Sequence, residues 1–173
     1  MTNLSILIAP DPLLKAIAEP VASVNDEVRK IVADMFETVD KHHGAGLAAT
    51  QVGILKRIFV VTLPKDMDQA EPRIAFINPE ITYFSEEKSE EAEGCLSLPI
   101  NERIPIKRPE RVKIKYLNEQ GQEQQLDASG WLARAIQHEV DHLNGVLILD
   151  YISKIKRDVI MKKLIKHKKT LQL

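Results

Sequence analysis

With 173 residues, 44% of them hydrophobic and 28% charged, the chain has the size and composition of one soluble globular domain with a substantial core. A single cysteine excludes an internal disulfide framework, and no apolar run approaches the roughly 20 residues that cross a bilayer. The formal net charge of -1 hides an asymmetry, because residues 153–173 carry +7 and the remainder -8. Such a basic segment on an acidic body suits a polyanion contact, and equally a solvated helix face. The apolar stretch 4–9 is too short for a signal sequence and has no basic flank before it. Pro10-Asp11-Pro12 follows at once and reads as the start of the domain, so the expected location is the cytoplasm.

Residues 24–41 place apolar side chains at 24, 28, 31, 32, 35, 36 and 39, the spacing of an amphipathic helix capped by Asn25 or Ser23. Gly44 stops it, and residues 44–51 follow as a compact Gly/Ala segment. Residues 57–63 and 73–77 are short β-rich runs, with a polar loop over 64–72 between them. One further strand, turning strongly acidic, is expected over 81–91, and Cys95 to Pro99 belongs to a strand or turn. Residues 112–117 alternate as a strand with one wet face, and Asn118-Glu119-Gln120-Gly121 turns the chain back through 122–126. The spacing then predicts a helix over 131–144 ended by Gly145, and a short buried strand over 146–149. A final helix over 158–169 carries Val159, Ile160, Leu164 and Ile165 as its apolar stripe. Strands dominate the first half and helices the second, so the class is α+β with mostly antiparallel sheet.

The predicted helix over 131–144 contains Gln137-His138-Glu139-Val140-Asp141-His142, an HExxH array. Positions i and i+4 share a helix face, so His138 and His142 can direct two imidazoles at one metal ion, with Glu139 beside them. Acids downstream are limited to Asp150 and Asp158, and His167 lies in the basic tail. Cys95, in Glu93-Gly94-Cys95-Leu96-Ser97, is the more persuasive third ligand, although 43 residues separate it from His138. Two imidazoles and a thiolate suit zinc or ferrous iron with a fourth position open to water, the arrangement of a hydrolytic centre. Asp141, Gln137 and Asn144 are candidates to orient the ligands. A carbonyl substrate also needs donors for a developing oxyanion; the Leu96 backbone N–H and the Gln51 side chain are the candidates. Gly44 and Gly46 permit close backbone approach to a ligand. Residue chemistry alone leaves two rivals open, a zinc peptidase cutting internal amides and a metal-binding protein without activity.

Three segments together resemble the peptide deformylase family. These are Gly44-Ala45-Gly46-Leu47-Ala48-Ala49-Thr50-Gln51, Glu93-Gly94-Cys95-Leu96-Ser97, and 137–145 ending in His142-Leu143-Asn144-Gly145. The likeness extends from Pro10 to about Ile152, which makes 1–152 the catalytic domain, with 153–173 a basic helix of the same single domain. The fold implied is mostly antiparallel sheet around a central HExxH helix, with an N-terminal and a C-terminal helix. By this resemblance Cys95, His138 and His142 hold one divalent ion, Fe(2+) in the most active form, with Zn(2+), Ni(2+) or Co(2+) able to replace it. Glu139 is the acid/base for a metal-activated water, and Gln51 with the Leu96 N–H polarises the formyl oxygen. The substrate implied is an N-formylmethionyl peptide, cleaved to formate and a free amino terminus. Its backbone would pair with Gly44-Ala45-Gly46, and its methionine would enter a pocket built by Trp131, Arg134 and Ala135. Arg134 departs from the aliphatic residue expected there; either its stem lines the pocket while its head stays in water, or the side chain narrows the pocket. Some bacterial members dock a C-terminal helix on the ribosome, which assigns that contact to Lys154, Lys156, Arg157, Lys162, Lys163 and Lys166. A monomer in the bacterial cytoplasm completes the expectation.

Overall fold

A computed structural model describes residues 4–63 and 73–171; the polar loop expected over 64–72 lies outside the described residues. An α-helix, α1 (Asp26–Lys41), leads into β1 (Gly46–Ala48) and a 3-10 turn over Ala49–Val52. Strands β2 (Ile58–Thr62), β3 (Arg73–Phe84), β4 (Lys88–Glu93), β5 (Ile104–Pro109), β6 (Arg111–Leu117) and β7 (Glu123–Ser129) follow. Helix α2 (Gly130–Leu143), a 3-10 turn over Ile148–Tyr151 and helix α3 (Lys154–Leu171) complete the chain. The class is α+β, and every pairing between these strands is antiparallel.

Five strands form one sheet in the order β1-β2-β3-β6-β7, and β4 pairs with β5 in a separate two-stranded sheet. Asn25 caps α1, its side chain accepting from the Val28 N–H at 3.0 Å. Val28, Val32, Met35 and Val39 of α1 pack on one face of the sheet against Leu47, Ile58, Val60 and Ile77. Leu132, Ala133, Ile136 and Leu143 of α2 cover the other face, against Ala48, Phe59, Val61, Phe76 and Ile114. The β2 segment is therefore buried on both sides, which is why its sequence is continuously apolar rather than alternating. A third cluster joins Leu14, Leu98, Ile104, Ile106 and Leu147–Leu149 to Ile160 and Leu164 of α3.

Four details differ from the sequence expectation. The strand expected over 81–91 divides: β3 runs on to Phe84, and the acidic residues belong to β4 in the other sheet. A turn separates them, with the Ser85 N–H bonded to Arg111 O and the Ser85 hydroxyl to Glu87 O. The partner strand β5 was hidden by Pro105 and Pro109, which an unshared edge tolerates. Residues 146–149 form no strand; the Asp150 carboxylate accepts from the Leu147 N–H at 2.8 Å and closes a 3-10 turn instead. Helix α3 begins at Lys154, and of its expected stripe only Ile160 and Leu164 are buried, while Val159 and Ile165 stay exposed. Among the described residues no helix is long and apolar enough to cross a membrane.

Gly145 ends α2 in the left-handed region at φ +71°, where a Cβ would stand 2.4 Å from the Lys15 carbonyl oxygen. The chain entry is held here against the helix end, with the Ala18 N–H bonded to Leu143 O at 2.9 Å. Gly145→Ala is expected to lower stability by about 2 kcal/mol or more through strain and displacement of that segment. Urea unfolding of the two proteins, compared at equal slope, measures it.

Candidate metal centre

Helical geometry stacks His138 and His142 one turn apart on α2, and their Nε2 atoms stand 3.3 Å from each other. The Cys95 sulfur arrives from the turn after β4 and lies 3.3 Å from His142 Nε2. That turn is closed by the Leu98 N–H bonding to Cys95 O at 2.9 Å. One donor atom from each of the three residues falls within 4.8 Å of the other two. Tetrahedral bonds of about 2.0–2.1 Å to nitrogen and about 2.3 Å to sulfur separate donors by about 3.3–3.6 Å. The spacing and the borderline-soft donor set therefore fit one divalent transition-metal ion. The contacts that the long sequence separation only permitted are made.

His138 is oriented by a residue that sequence reasoning did not single out. Glu93, on the last position of β4 and 6% exposed, takes the His138 Nδ1–H on Oε2 at 2.9 Å. Because the carboxylate only accepts, the imidazole proton sits on Nδ1 and the Nε2 lone pair faces the cysteine and His142. Arg108 of β5 binds both oxygens of Glu93, through Nε at 2.6 Å and Nη2 at 3.0 Å. Its remaining Nη1 reaches Asp141 at 2.9 Å, which also accepts from the Tyr151 hydroxyl at 2.7 Å. Burial alone would raise the Glu93 pKa, but hydrogen bonds from His138 and Arg108 outweigh it and hold the carboxyl at about 2. Of the three residues expected to orient the ligands, only Asp141 joins this network. Gln137 bonds to the Pro109 and Ala133 carbonyls, and Asn144 accepts from Arg57. The alternation of β5, with Ile104, Ile106 and Arg108 all inward, was the available clue to the arginine.

Glu139 is 5% exposed, and burial, the largest influence on it, pushes its carboxyl up to about 7. Its Oε2 is buried with no hydrogen-bond partner among the described residues. A Cβ on Gly46 would lie 2.6 Å from Glu139 Oε1, so the absent side chain is what admits the carboxylate. Gln51 is 1% exposed, and its orientation is set by the Ala48 N–H, which donates to Oε1 at 2.9 Å. The Gln51 amide N–H group is thereby turned to Ser97 Oγ at 3.1 Å and to the Cys95 sulfur at 3.5 Å. The turn bearing Gln51 is tied to α2 where the Thr50 hydroxyl donates to His142 O at 3.2 Å.

These groups open onto one cavity of about 480 Å³. Cys95, Leu96, Gln51, His138 and Glu139 line it, together with Gly44, Ala45 and Gly46. Trp131, Arg134 and Ala135 line it as well, whereas His142 does not and is 1% exposed. The Arg134 head does not stay in water: the residue is 7% exposed, and its guanidinium binds Glu93 Oε1 at 2.9 Å. The cause is Glu93, which gives the guanidinium a buried counter-charge. The tail residues Lys154, Lys156, Arg157, Lys162, Lys163 and Lys166 lie on α3, outside this cavity.

The sequence profile described as polypeptide deformylase matches residues 3–158. The chain belongs to the polypeptide deformylase family. It is 48% identical over 173 residues to the peptide deformylase of Rickettsia akari (strain Hartford), covering 97% of this chain and 98% of that one. It is 42% identical over 170 residues to that of Rhizobium meliloti (strain 1021), covering 98% and 97%. The crystal structure of peptide deformylase from Ehrlichia chaffeensis superposes with a TM-score of 0.92 at 42% identity, covering 99% of this chain and all of that one. A structure of peptide deformylase from Ehrlichia chaffeensis in complex with actinonin superposes at 0.90, with 45% identity and 96% and 98% coverage. Membership makes this deformylase-family chain a metal-dependent hydrolase.

Gly46→Ala tests the packing of the carboxylate. The added carbon meets both Glu139 Oε1 and, at 3.2 Å, the Val60 carbonyl oxygen, so the carboxylate must move. A hydrolytic rate lowered by about 10²-fold is expected from such a displacement, with the far-ultraviolet circular dichroism unchanged.

Proposed function

We propose that this chain removes the N-formyl group from the formylmethionyl amino terminus of newly made polypeptides, releasing formate. The observation that carries the reading is the unpaired Glu139 carboxylate beside the three converging donors, in a protein of this family. Cys95, His138 and His142 would hold the ion, Fe(2+) first, with Zn(2+), Ni(2+) or Co(2+) as substitutes. A divalent ion so held supplies Lewis acidity and brings a water's pKa towards neutrality. Glu139 takes the proton from the attacking water and later hands it to the departing amine, a cycle suited to a carboxyl buried into the neutral range. The Gln51 amide and the Leu96 backbone N–H polarise the formyl oxygen. Gly44, Ala45 and Gly46 run into β1, an outer strand of the five-stranded sheet, so a peptide backbone can add there as another strand. Trp131, Ala135 and the stem of Arg134 receive the methionine side chain.

The chain is proposed to work as a monomer in the bacterial cytoplasm, with α3 touching the ribosome. Not every basic residue of α3 is equally available for that contact. Lys163 pairs with Glu102, Arg157 with Asp150 and Lys154 with Asp158. Lys156, Lys162 and Lys166 are exposed, without an ion pair among the described residues. Replacing those three by glutamine is expected to weaken ribosome binding and flatten its salt dependence, while turnover of a short formyl-peptide stays unchanged. Unaltered binding at every salt concentration would remove α3 as the contact.

Formate release from a formyl-Met peptide under anaerobic conditions tests the reaction. Glu139→Gln, which keeps all three ligands, is expected to slow it by between about 10² and 10⁴-fold at equal metal content. An equal rate in the variant excludes Glu139 as the proton carrier. Cleavage of internal amides without formate release would return the chain to the zinc peptidase reading.

A further inference from the structure

Arg134, His138 and His142 recur at every fourth position, so one face of α2 carries a guanidinium in line with both imidazoles. Arg134 and His138 grip the same carboxylate. Glu93 Oε1 accepts from Arg108 Nε at 2.6 Å and Arg134 Nη1 at 2.9 Å; Oε2 accepts from Arg108 Nη2 at 3.0 Å and His138 Nδ1 at 2.9 Å. A carboxylate offers about four acceptor positions, and these four contacts occupy them, so Glu93 cannot turn without breaking one. The guanidinium is equally committed. Its second Nη1 contact is Ile106 O at 2.9 Å, and Nη2 meets Ser89 O at 3.0 Å and Ser89 Oγ at 3.2 Å. Its Nε faces Glu91 at 3.6 Å. Arg134 thus lines the cavity with its terminal N–H groups already engaged.

We propose that Arg134 is a positioning residue: from the helix that bears both histidines it pins Glu93, and through Glu93 it fixes the orientation of the ligand His138. The same side chain walls the cavity, so one residue links the compartment for the substrate's first side chain to the metal ligands. The cavity role rests on the deformylase reading; the hold on His138 does not.

Arg134→Met keeps an unbranched apolar wall and removes the guanidinium. In Co(2+)-loaded protein, release of the ion to a chelator is expected to quicken by 10-fold or more, within the range for loss of a group that orients a ligand. At saturating metal kcat for a formyl-Met peptide falls while KM stays within about threefold, because the wall remains. Arg134→Lys restores charge without the planar fork and recovers only part of the metal retention. Val32→Ala loosens the core on the opposite face of the sheet, under α1, and serves as the reference for lost stability. Metal release from Arg134→Met no faster than from Val32→Ala overturns the proposal. Should Arg134→Met not fold, Ser89→Ala, which removes one acceptor of the guanidinium, must still quicken release relative to wild type; no change there overturns it too. Because release is measured without substrate, absence of deformylation in the wild type would strike the functional reading and leave this comparison standing.

Discussion

Placing an ionised carboxylate in a protein interior costs several kcal/mol unless its acceptor positions are filled, and Glu93 is such a group. The groups that fill them come from different parts of the fold: Arg108 from β5, and Arg134 and His138 from α2. Satisfying this one charge therefore locks the small β4-β5 sheet against the helix that carries the histidines. Cys95 lies two residues beyond Glu93, so the same lock delivers the sulfur to the imidazoles. Each arginine also meets a second acid, Arg108 with Asp141 and Arg134 with Glu91. Removing a single member would strand a buried charge, which in comparable pairs costs about 3–5 kcal/mol.

Against this saturated side of the site stands an unsaturated one. Glu139 keeps an oxygen without a partner, in a region where most buried polar atoms have one. Its neighbour Gly46 is stripped of the side chain that would displace it, and Gln51 is held by a backbone N–H so that its amide donors face inward. His138, held by the saturated Glu93, thus adjoins the unpartnered Glu139 carboxylate on one turn of α2. His138 turns its Nδ1 to the ion-pair network and its Nε2 to His142, so it joins that network to the cluster with Cys95.

Sequence patterns with a short reach were legible. The caps and spacing of α1, the alternating hairpin of β6 and β7, and the glycine-terminated α2 each rest on residues within one or two turns of one another. Features that depend on a distant partner were not. Acidic β4 looks like a continuation of β3 until Arg108 is seen to receive Glu93, and β5 hides behind its prolines because only an edge strand accommodates them. Val159 and Ile165 complete a plausible stripe on paper, yet the third core cluster reaches only Ile160 and Leu164. Arg134 looked like a snorkelling side chain because nothing local announces a buried carboxylate 41 residues away in the chain.

The amino-acid order by itself determined the class of fold, the pairing of His138 with His142, and the candidate roles of Cys95, Glu139 and Gln51, since helical periodicity and donor chemistry are properties of neighbours. Only the tertiary structure decided that the sulfur meets the imidazoles, that Glu93 rather than Gln137 or Asn144 orients His138, and that the Arg134 guanidinium is drawn to a buried carboxylate. Those outcomes depend on which buried charges find each other once water is excluded, and that matching is made across the fold rather than along the chain.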